Sequence, residues 1–172
     1  MSRTNSTMIP LGTPLPSFDL QVVSTYGLNR KASTDALTRI SSESLEQKPV
    51  LIMVICAHCP FVKHIEIELT RLDFDYGSRV QILAISSNSL ITHPQDGPDY
   101  LAAQSDNHGW RFPYLLDSNQ SLAKALKAAC TPDFFLFSPM TEAGHELQYR
   151  GQLDGSRPGN NVPVTGSDLR AA

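Results

Sequence analysis

The chain has 172 residues, of which 41% are hydrophobic and 18% are charged. This length predicts one compact domain, and the apolar fraction excludes a disordered chain. The net charge is -3, with 14 Lys and Arg against 17 Asp and Glu, so the basic surplus typical of nucleic-acid binding is missing. The longest apolar run has the length of a strand rather than of a membrane-spanning helix. We therefore expect a protein with a packed core and with neither a nucleic-acid nor a membrane partner.

The N-terminus is polar and rich in proline, and it lacks the apolar segment of an export signal. We expect a flexible N-terminus over residues 1–10, a single domain over residues 11–172, and a cytoplasmic location. The chain has 3 cysteines, which cannot form a closed disulfide framework, and cytosolic thiols are normally kept reduced. The cysteines are therefore candidates for chemistry.

The strongest structural signal begins at Pro49. The continuous apolar run from Val50 to Ile55 is typical of a strand buried on both faces of a sheet. After it, apolar residues recur at helical spacing between Phe61 and Leu72, and Pro60 suits the first turn of a helix. The sequence therefore predicts a central strand, a loop that contains Cys-x-x-Cys, and an amphipathic helix.

The remaining predicted elements alternate between strands and helices. Prolines and alternating apolar positions from Pro10 to Leu20 are typical of the approach to an edge strand. The later segments comprise strands at Val80–Ser86 and Tyr114–Asp117, helices at Asp99–Ser105 and Ser118–Ala129, and a hairpin of Phe134–Phe137 with Glu146–Arg150. Thr165 to Asp168 look like a helix start near the end of the chain, which indicates a short helix or a shortened chain. The pattern predicts an α/β fold with a central mixed sheet flanked by helices.

The Cys56-Ala57-His58-Cys59 loop has the spacing of a redox-active cysteine pair. Only a thiolate attacks a disulfide, and a cysteine between a strand and a helix N-terminus faces unpaired N–H groups that lower its pKa. We assign Cys56 as the nucleophile, and protonated His58 would add a positive charge beside it. Cys59 can reach back to resolve the mixed disulfide.

Thr131-Pro132 is the predicted substrate-binding segment. An X-Pro bond can be cis, which exposes the preceding backbone groups for pairing with an extended substrate beside the thiol. The sequence does not determine whether the Thr131–Pro132 bond is cis or trans, and few X-Pro bonds in folded proteins are cis.

Together these motifs resemble the thioredoxin fold, in particular its redoxin branch related to AhpC/TSA proteins. The resemblance rests on C-A-H-C-P-F-V-K-H after the strand, on A-C-T-P-D-F-F before the hairpin, and on G-T-P-L-P-S-F-D-L near the start. It implies a thioredoxin-like domain and a thiol–disulfide oxidoreductase in which Cys56 and Cys59 cycle and Pro132 is a cis-proline facing them. It implies no bound cofactor or metal. The implied partners are disulfide-containing proteins or small molecules, with a thioredoxin reductase, a thioredoxin or glutathione as the reductant.

The sequence departs from ordinary thioredoxins at the site. Ala57-His58 replaces their Gly-Pro, Ile55 replaces their tryptophan, and Val50 stands where they keep a buried acid. A histidine in this loop is similar to that of oxidising relatives, so we expect a redox potential above that of thioredoxin, between about -270 and -120 mV.

Two alternative functions stay open. The first is a peroxiredoxin-like thiol peroxidase: Pro49 matches the proline of the P-x-x-x-T-x-x-C pattern, but Met53 takes the place of its threonine. The second is a redox-sensing or metal-binding module built on the cysteine pair, for which Cys130 and scattered histidines are the further ligands available. We expect Cys130 to be a buried, unreactive residue rather than a resolving thiol.

Overall fold

The apolar run after Pro49 forms the middle of a seven-stranded sheet in the computed structural model, which describes residues 8–24 and 39–172. The strands are β1 (Asp19–Ser24), β2 (Arg39–Ser41), β3 (Val50–Val54), β4 (Gln81–Ser86), β5 (Tyr114–Leu116), β6 (Asp133–Phe137) and β7 (Leu147–Gly151). The helices are α1 (Pro60–Tyr76), α2 (Pro98–His108), α3 (Ser121–Ala125) and α4 (Ser167–Ala171).

The strands follow the order β2-β1-β5-β4-β3-β6-β7 across the sheet. The three inner strands β3, β4 and β5 are parallel, whereas β6 pairs antiparallel with β3, and β1 pairs antiparallel with β5. The hairpin of β6 and β7 closes one side, and β2 lies at the other edge. The predicted α/β fold with a mixed central sheet is therefore confirmed.

Strand β3 is apolar throughout because both of its faces are covered. Val50, Ile52 and Val54 pack in one core cluster, and Leu51 and Met53 pack in the other. Every residue of this strand is buried, as a strand covered on both faces requires. Its carboxyl end therefore has a fixed position, and the cysteine loop starts there.

Helix α1 starts directly after that loop. Its buried apolar stripe consists of Val62, Ile65, Leu69 and Leu72, at the predicted helical spacing, and Pro60 occupies its first turn. The stripe packs on the sheet face that carries Met53. The first turn of α1 thereby lies beside the end of β3.

Several elements differ in extent from the sequence prediction. The helix expected over 118–129 is only α3, because Gln120 before it and Lys127 after it have positive φ angles of 62° and 52°. Strand β1 is an inner strand, since β2 pairs beyond it. Helix α4 is a short helix that buries Leu169 in the core.

Of the N-terminus expected to be flexible, residues 1–7 lie outside the described part of the chain. Ile9, within the remainder, is buried against the core with 7% exposure. Across residues 8–24 and 39–172, no helix combines the length and apolar character needed to cross a bilayer.

The two-sided burial of β3 predicts a large difference between two Ile→Ala substitutions. Ile52 is fully buried, whereas Ile67 on α1 is 67% exposed. We expect Ile52→Ala to lower the free energy of unfolding by about 2–5 kcal/mol through lost burial and a residual cavity. Ile67→Ala should change it by about 0.5 kcal/mol or less. Urea unfolding of the reduced proteins measures both, and equal losses would contradict the two-sided core.

Candidate active site

The two cysteines lie where β3 ends and α1 begins. Cys56 follows the strand by two residues and is 1% exposed, and Cys59 caps the N-terminus of α1 and is partly exposed. The loop is anchored on its strand side, because the Ile55 N–H donates a hydrogen bond to the Ile85 carbonyl at 3.0 Å. The predicted strand, loop and helix arrangement therefore brings both sulfurs to one edge of the sheet.

Thr131 faces both sulfurs from the segment that enters β6. Its hydroxyl lies 3.3 Å from the Cys56 sulfur, and its carbonyl accepts a hydrogen bond from the Cys59 thiol at 3.4 Å. The Thr131–Pro132 peptide bond is cis. Because β6 pairs with β3, the sheet brings this distant segment to the cysteine loop. The residues predicted at the site, Cys56, His58, Cys59, Thr131 and Pro132, are thus grouped in space.

Asp96, which the sequence analysis missed, holds the cysteine loop in place. One of its carboxylate oxygens accepts hydrogen bonds from the backbone N–H groups of Ala57 and His58, at 2.9 and 3.1 Å. The other oxygen lies 2.6 Å from His58 Nδ1 and accepts a hydrogen bond from the Asn88 amide at 2.7 Å. Asp96 is fully buried. The only sequence signal for it was its place in the connection after β4, whose carboxyl end lies beside that of β3.

His58 is oriented by Asp96 rather than by solvent. Its Nδ1 lies 3.7 Å from the Cys56 sulfur, and its ring stacks on that of His93 with the centroids 4.9 Å apart. The imidazole therefore lies between the buried carboxylate and the nucleophilic pair. His58 is therefore close enough to Cys56 to influence the pKa of its thiol, which is the role predicted from the sequence.

The two thiols are coupled through their hydrogen bond, which favours ionisation of Cys59 over ionisation of Cys56. A hydrogen bond from Cys56 lowers the pKa of Cys59 to about 5, with further contributions from Thr131 and from the N–H groups of Val62 and Phe61 at the start of α1. The same hydrogen bond, followed by burial and by the charge of Asp96, raises the pKa of Cys56 well above its ordinary value.

This order of acidity and exposure is opposite to the roles predicted from the sequence. The sequence argument placed the thiolate on Cys56 and the resolving thiol on Cys59. In the structure Cys59 is the more exposed residue, and its pKa is lowered whereas the pKa of Cys56 is raised. The assignment of the attacking sulfur stays a prediction that single-cysteine variants can decide.

Cys130 lies near the pair but differs from it. It is exposed, so the expectation that it is a buried residue was wrong. Partial desolvation, followed by the charges of Asp133 and Cys59, raises its pKa. An exposed thiol with a raised pKa is a weak nucleophile at neutral pH.

Three groups at the site have the chemistry of metal ligands. The sulfur of Cys56, a ring nitrogen of His58 and a carboxylate oxygen of Asp96 lie within 4.8 Å of one another. Both oxygens of Asp96 already accept hydrogen bonds, from two backbone N–H groups, the Asn88 amide and the His58 ring. This bonding favours a loop anchor over a metal ligand.

The fold of the chain is thioredoxin-like, as the sequence resemblance implied. More narrowly, the AhpC/TSA family matches residues 11–148, and the chain belongs to this family. No curated protein matches the chain.

Two solved structures are similar to this chain over nearly all of its length. A conserved uncharacterized protein from Geobacillus kaustophilus is 40% identical, with a TM-score of 0.85 and coverage of 100% of this chain and 85% of its own. A hypothetical protein from Sinorhizobium meliloti 1021 is 37% identical, with a TM-score of 0.84 and coverage of 99% and 85%. A secreted disulfide oxidoreductase from Mycobacterium tuberculosis, at 12% identity, shares the fold with a TM-score of 0.61 and coverage of 90% and 92%.

The pKa order predicts selective alkylation at neutral pH. The iodoacetamide reaction should follow the thiolate fraction, so Cys59 should react at pH 7 with a midpoint near its pKa of about 5. Cys130 should react mainly at alkaline pH, because its pKa is raised. The alkylation of each cysteine in the reduced protein is measured by peptide-resolved mass spectrometry between about pH 4 and pH 10. Faster alkylation of Cys130 than of Cys59 at pH 7 would contradict the charge assignment.

The charge of Asp96 gives a second prediction. Since this carboxylate raises the pKa of Cys56, Asp96→Asn should lower that pKa. In a Cys59→Ser background, where Cys56 is the one thiol of the pair, we expect its alkylation midpoint to move to lower pH. Asp99→Asn is the matched control, because Asp99 is exposed on α2. An equal shift in both variants would show an effect of net charge rather than of the Asp96 position.

Proposed function

We propose that this protein is a thiol–disulfide oxidoreductase in which Cys56 and Cys59 cycle between the dithiol and the disulfide. The observation that carries the proposal is the placement of both cysteines at the carboxyl end of β3, where the Thr131 hydroxyl lies 3.3 Å from the Cys56 sulfur and the Thr131 carbonyl lies 3.4 Å from the Cys59 sulfur. The hydrogen bond between the two thiols, which lowers the pKa of Cys59 to about 5, supports it. A dithiol pair that is singly ionised at neutral pH has one sulfur ready to attack and a neighbour that can resolve the product.

The reaction transfers two electrons from the pair to a substrate disulfide. One thiolate attacks a substrate sulfur, a mixed disulfide forms, and the first substrate thiol leaves with a proton from water. The second cysteine loses its proton and attacks the mixed disulfide, which releases the second substrate thiol and closes the Cys56–Cys59 bond. A thiol reductant reverses these steps and restores the dithiol.

The surrounding residues position this exchange. The Thr131 hydroxyl and carbonyl keep the two sulfurs on one side of the loop. Asp96 fixes the backbone of Ala57 and His58, so that the loop holds its shape when the sulfurs change their bonding. We assign Asp96 as a positioning residue, because it contacts the loop and not the substrate.

The proposed reaction needs no cofactor beyond the cysteine pair. Its substrates would be disulfide-containing proteins or small molecules. Its reductant would be a thioredoxin reductase, a thioredoxin or glutathione, in the reducing environment of the cytoplasm.

A thiol peroxidase is the second candidate, and the Thr131 hydroxyl beside Cys56 favours it. This hydroxyl, 3.3 Å from the Cys56 sulfur, can offer the hydrogen bond that Met53 does not supply at the threonine position of the peroxidase pattern. The burial and raised pKa of Cys56 oppose it, because peroxide is attacked by an accessible thiolate. We therefore rank disulfide exchange first.

Single-cysteine variants test the exchange and assign the attacking sulfur. With a small neutral disulfide such as 2-hydroxyethyl disulfide, both Cys56→Ser and Cys59→Ser should lose turnover, because the closing step needs both sulfurs. The variant that retains the attacking sulfur should accumulate a mixed disulfide, detected as a mass adduct. An adduct on Cys59 in Cys56→Ser supports the order of acidity in the structure, and an adduct on Cys56 in Cys59→Ser supports the sequence prediction.

Cys130→Ser is the control for this experiment, and it should turn over like the wild type. Full turnover by either single-cysteine variant would contradict the proposed cycle. Oxidation of the wild-type pair by hydrogen peroxide that is faster than its oxidation by the disulfide would favour the peroxidase.

A further inference from the structure

A buried arginine contacts both ends of the segment that carries Thr131. This segment, residues 127–133, connects the end of α3 to the first residue of β6, and we call it the Thr131 segment. Nη2 of Arg150, on β7, donates a hydrogen bond to the Lys127 carbonyl at 2.7 Å and lies 3.5 Å from an Asp133 carboxylate oxygen. Arg150 therefore bridges the two ends of the segment.

The contacts of Arg150 stabilise the segment at each end. At Lys127 the backbone has a φ of 52°, a left-handed conformation that is unfavourable for residues other than glycine. The hydrogen bond from Arg150 satisfies the carbonyl of this residue. At Asp133, burial raises the pKa of the carboxyl and the Arg150 guanidinium opposes that rise, while the N–H of Ala129 donates a hydrogen bond to the same carboxyl. One side chain on β7 thus stabilises the conformation of the segment at its start and at its end.

The burial of Arg150 favours a positioning role over a purely stabilising one. Arg150 is 6% exposed, and its guanidinium carbon lies 5.1 Å from the centroid of the Phe135 ring. A buried ion pair contributes little net stability, because the cost of removing both charges from water offsets their attraction. An apolar side chain could fill the same space, but it could not make polar contacts with both ends of one segment.

The Thr131 segment in turn contacts both sulfurs in their reduced state. Cys56 and Cys59 are free thiols in this structure. The Thr131 hydroxyl lies 3.3 Å from the Cys56 sulfur, and its carbonyl accepts a hydrogen bond from the Cys59 thiol at 3.4 Å. The Cys59 sulfur has no proton to donate once a Cys56–Cys59 disulfide has formed. The carbonyl contact therefore stabilises the dithiol relative to the disulfide.

We propose that Arg150 is a positioning residue that holds the Thr131 carbonyl and hydroxyl against the two sulfurs, and that it thereby favours the dithiol form of the pair. This inference rests on the proposed function and does not depend on which sulfur attacks. In the reaction that tests it, oxidised glutathione takes two electrons from Cys56 and Cys59. The Cys56–Cys59 bond forms, the glutathione disulfide bond breaks, and the two thiol protons pass through water to the two glutathione thiolates.

The test is the equilibrium constant of this reaction for the full-length protein at neutral pH. The folded protein is equilibrated with mixtures of reduced and oxidised glutathione, quenched with acid, alkylated and measured by mass. A loss of stability that is common to the dithiol and disulfide forms cancels in this constant. We expect Arg150→Met to raise the constant for disulfide formation by about threefold, because a weakened hydrogen bond is lost from the dithiol form alone. Arg150→Lys, which keeps a charged donor, should give a smaller rise.

Asp133→Asn separates the contact from the charge. It removes a negative charge, whereas Arg150→Met removes a positive one, so a purely electrostatic effect would shift the constant in opposite directions. Weaker contact at either end of the Thr131 segment predicts a rise in both variants. We expect a rise of about twofold for Asp133→Asn, because the amide oxygen can still accept a hydrogen bond.

Arg170→Met is the matched control. Arg170, on α4, also pairs with a buried acid, Glu68, at 2.7 Å, and its guanidinium carbon lies 5.5 Å from the centroid of the Tyr76 ring. Its contacts lie along α1, beyond the turn that follows Cys59. The free energy of unfolding should fall in this variant, but its redox constant should stay within about 1.5-fold of the wild-type value.

The outcomes separate this proposal from the proposed function. If the wild-type pair forms no disulfide at any glutathione ratio, the proposed function fails and this inference fails with it. If the wild-type pair titrates but Asp133→Asn leaves the constant unchanged or lowers it, the exchange stands and the positioning role of Arg150 is wrong. An equal rise in Arg170→Met would also overturn that role. Should Arg150→Met fail to fold, Asp133→Asn and the control decide the question.

Discussion

The geometry of the site depends on the buried carboxylate of Asp96. Removing a carboxylate from water is costly unless hydrogen bonds replace its hydration. Here the loop N–H groups, the Asn88 amide and the His58 ring provide that replacement. The carboxylate in turn fixes the backbone between Cys56 and Cys59. A residue from the connection after β4 therefore determines the shape of the loop after β3, and the parallel pairing of these strands makes the contact possible.

The same carboxylate contributes to the distribution of charge between the sulfurs. A negative charge on Cys56 would face Asp96, whereas a negative charge on Cys59 is stabilised by N–H groups in the first turn of α1. Both effects favour ionisation of Cys59. The helix terminus that the sequence analysis invoked for Cys56 thus acts on the neighbouring cysteine, because Cys59 caps the helix.

The local parts of the structure were predictable from the sequence, and the long-range parts were not. The apolar run of β3 and the periodic stripe of α1 predicted the elements on both sides of the cysteine pair, and burial on both faces explains why these signals were clear. Asp96 gave no comparable signal, because its partners are far away in the chain. Thr131 also gave no signal of its contacts, because it reaches the two sulfurs only through the pairing of β6 with β3. Helix α3 is shorter than its periodicity predicted, because the backbone at Lys127 turns into the left-handed region.

The back of the site is closed by buried hydrogen bonds, and its front is the open side. Behind the loop, the Gln104 amide donates hydrogen bonds to the Cys56 carbonyl at 3.5 Å and to Glu66 at 2.7 Å, and its oxygen accepts one from the Tyr114 hydroxyl at 3.2 Å. These contacts join the loop to α1, α2 and β5. Since Gln104 and Tyr114 are buried, motion on this side would break hydrogen bonds that water could not replace. In the proposed cycle, formation of the Cys56–Cys59 bond would therefore come mainly from rotation of the two side chains. Differences in substrate preference would then arise on the open side, where a cavity of about 440 Å³ is lined by Cys59 together with Ala123, Ala128 and Ala129.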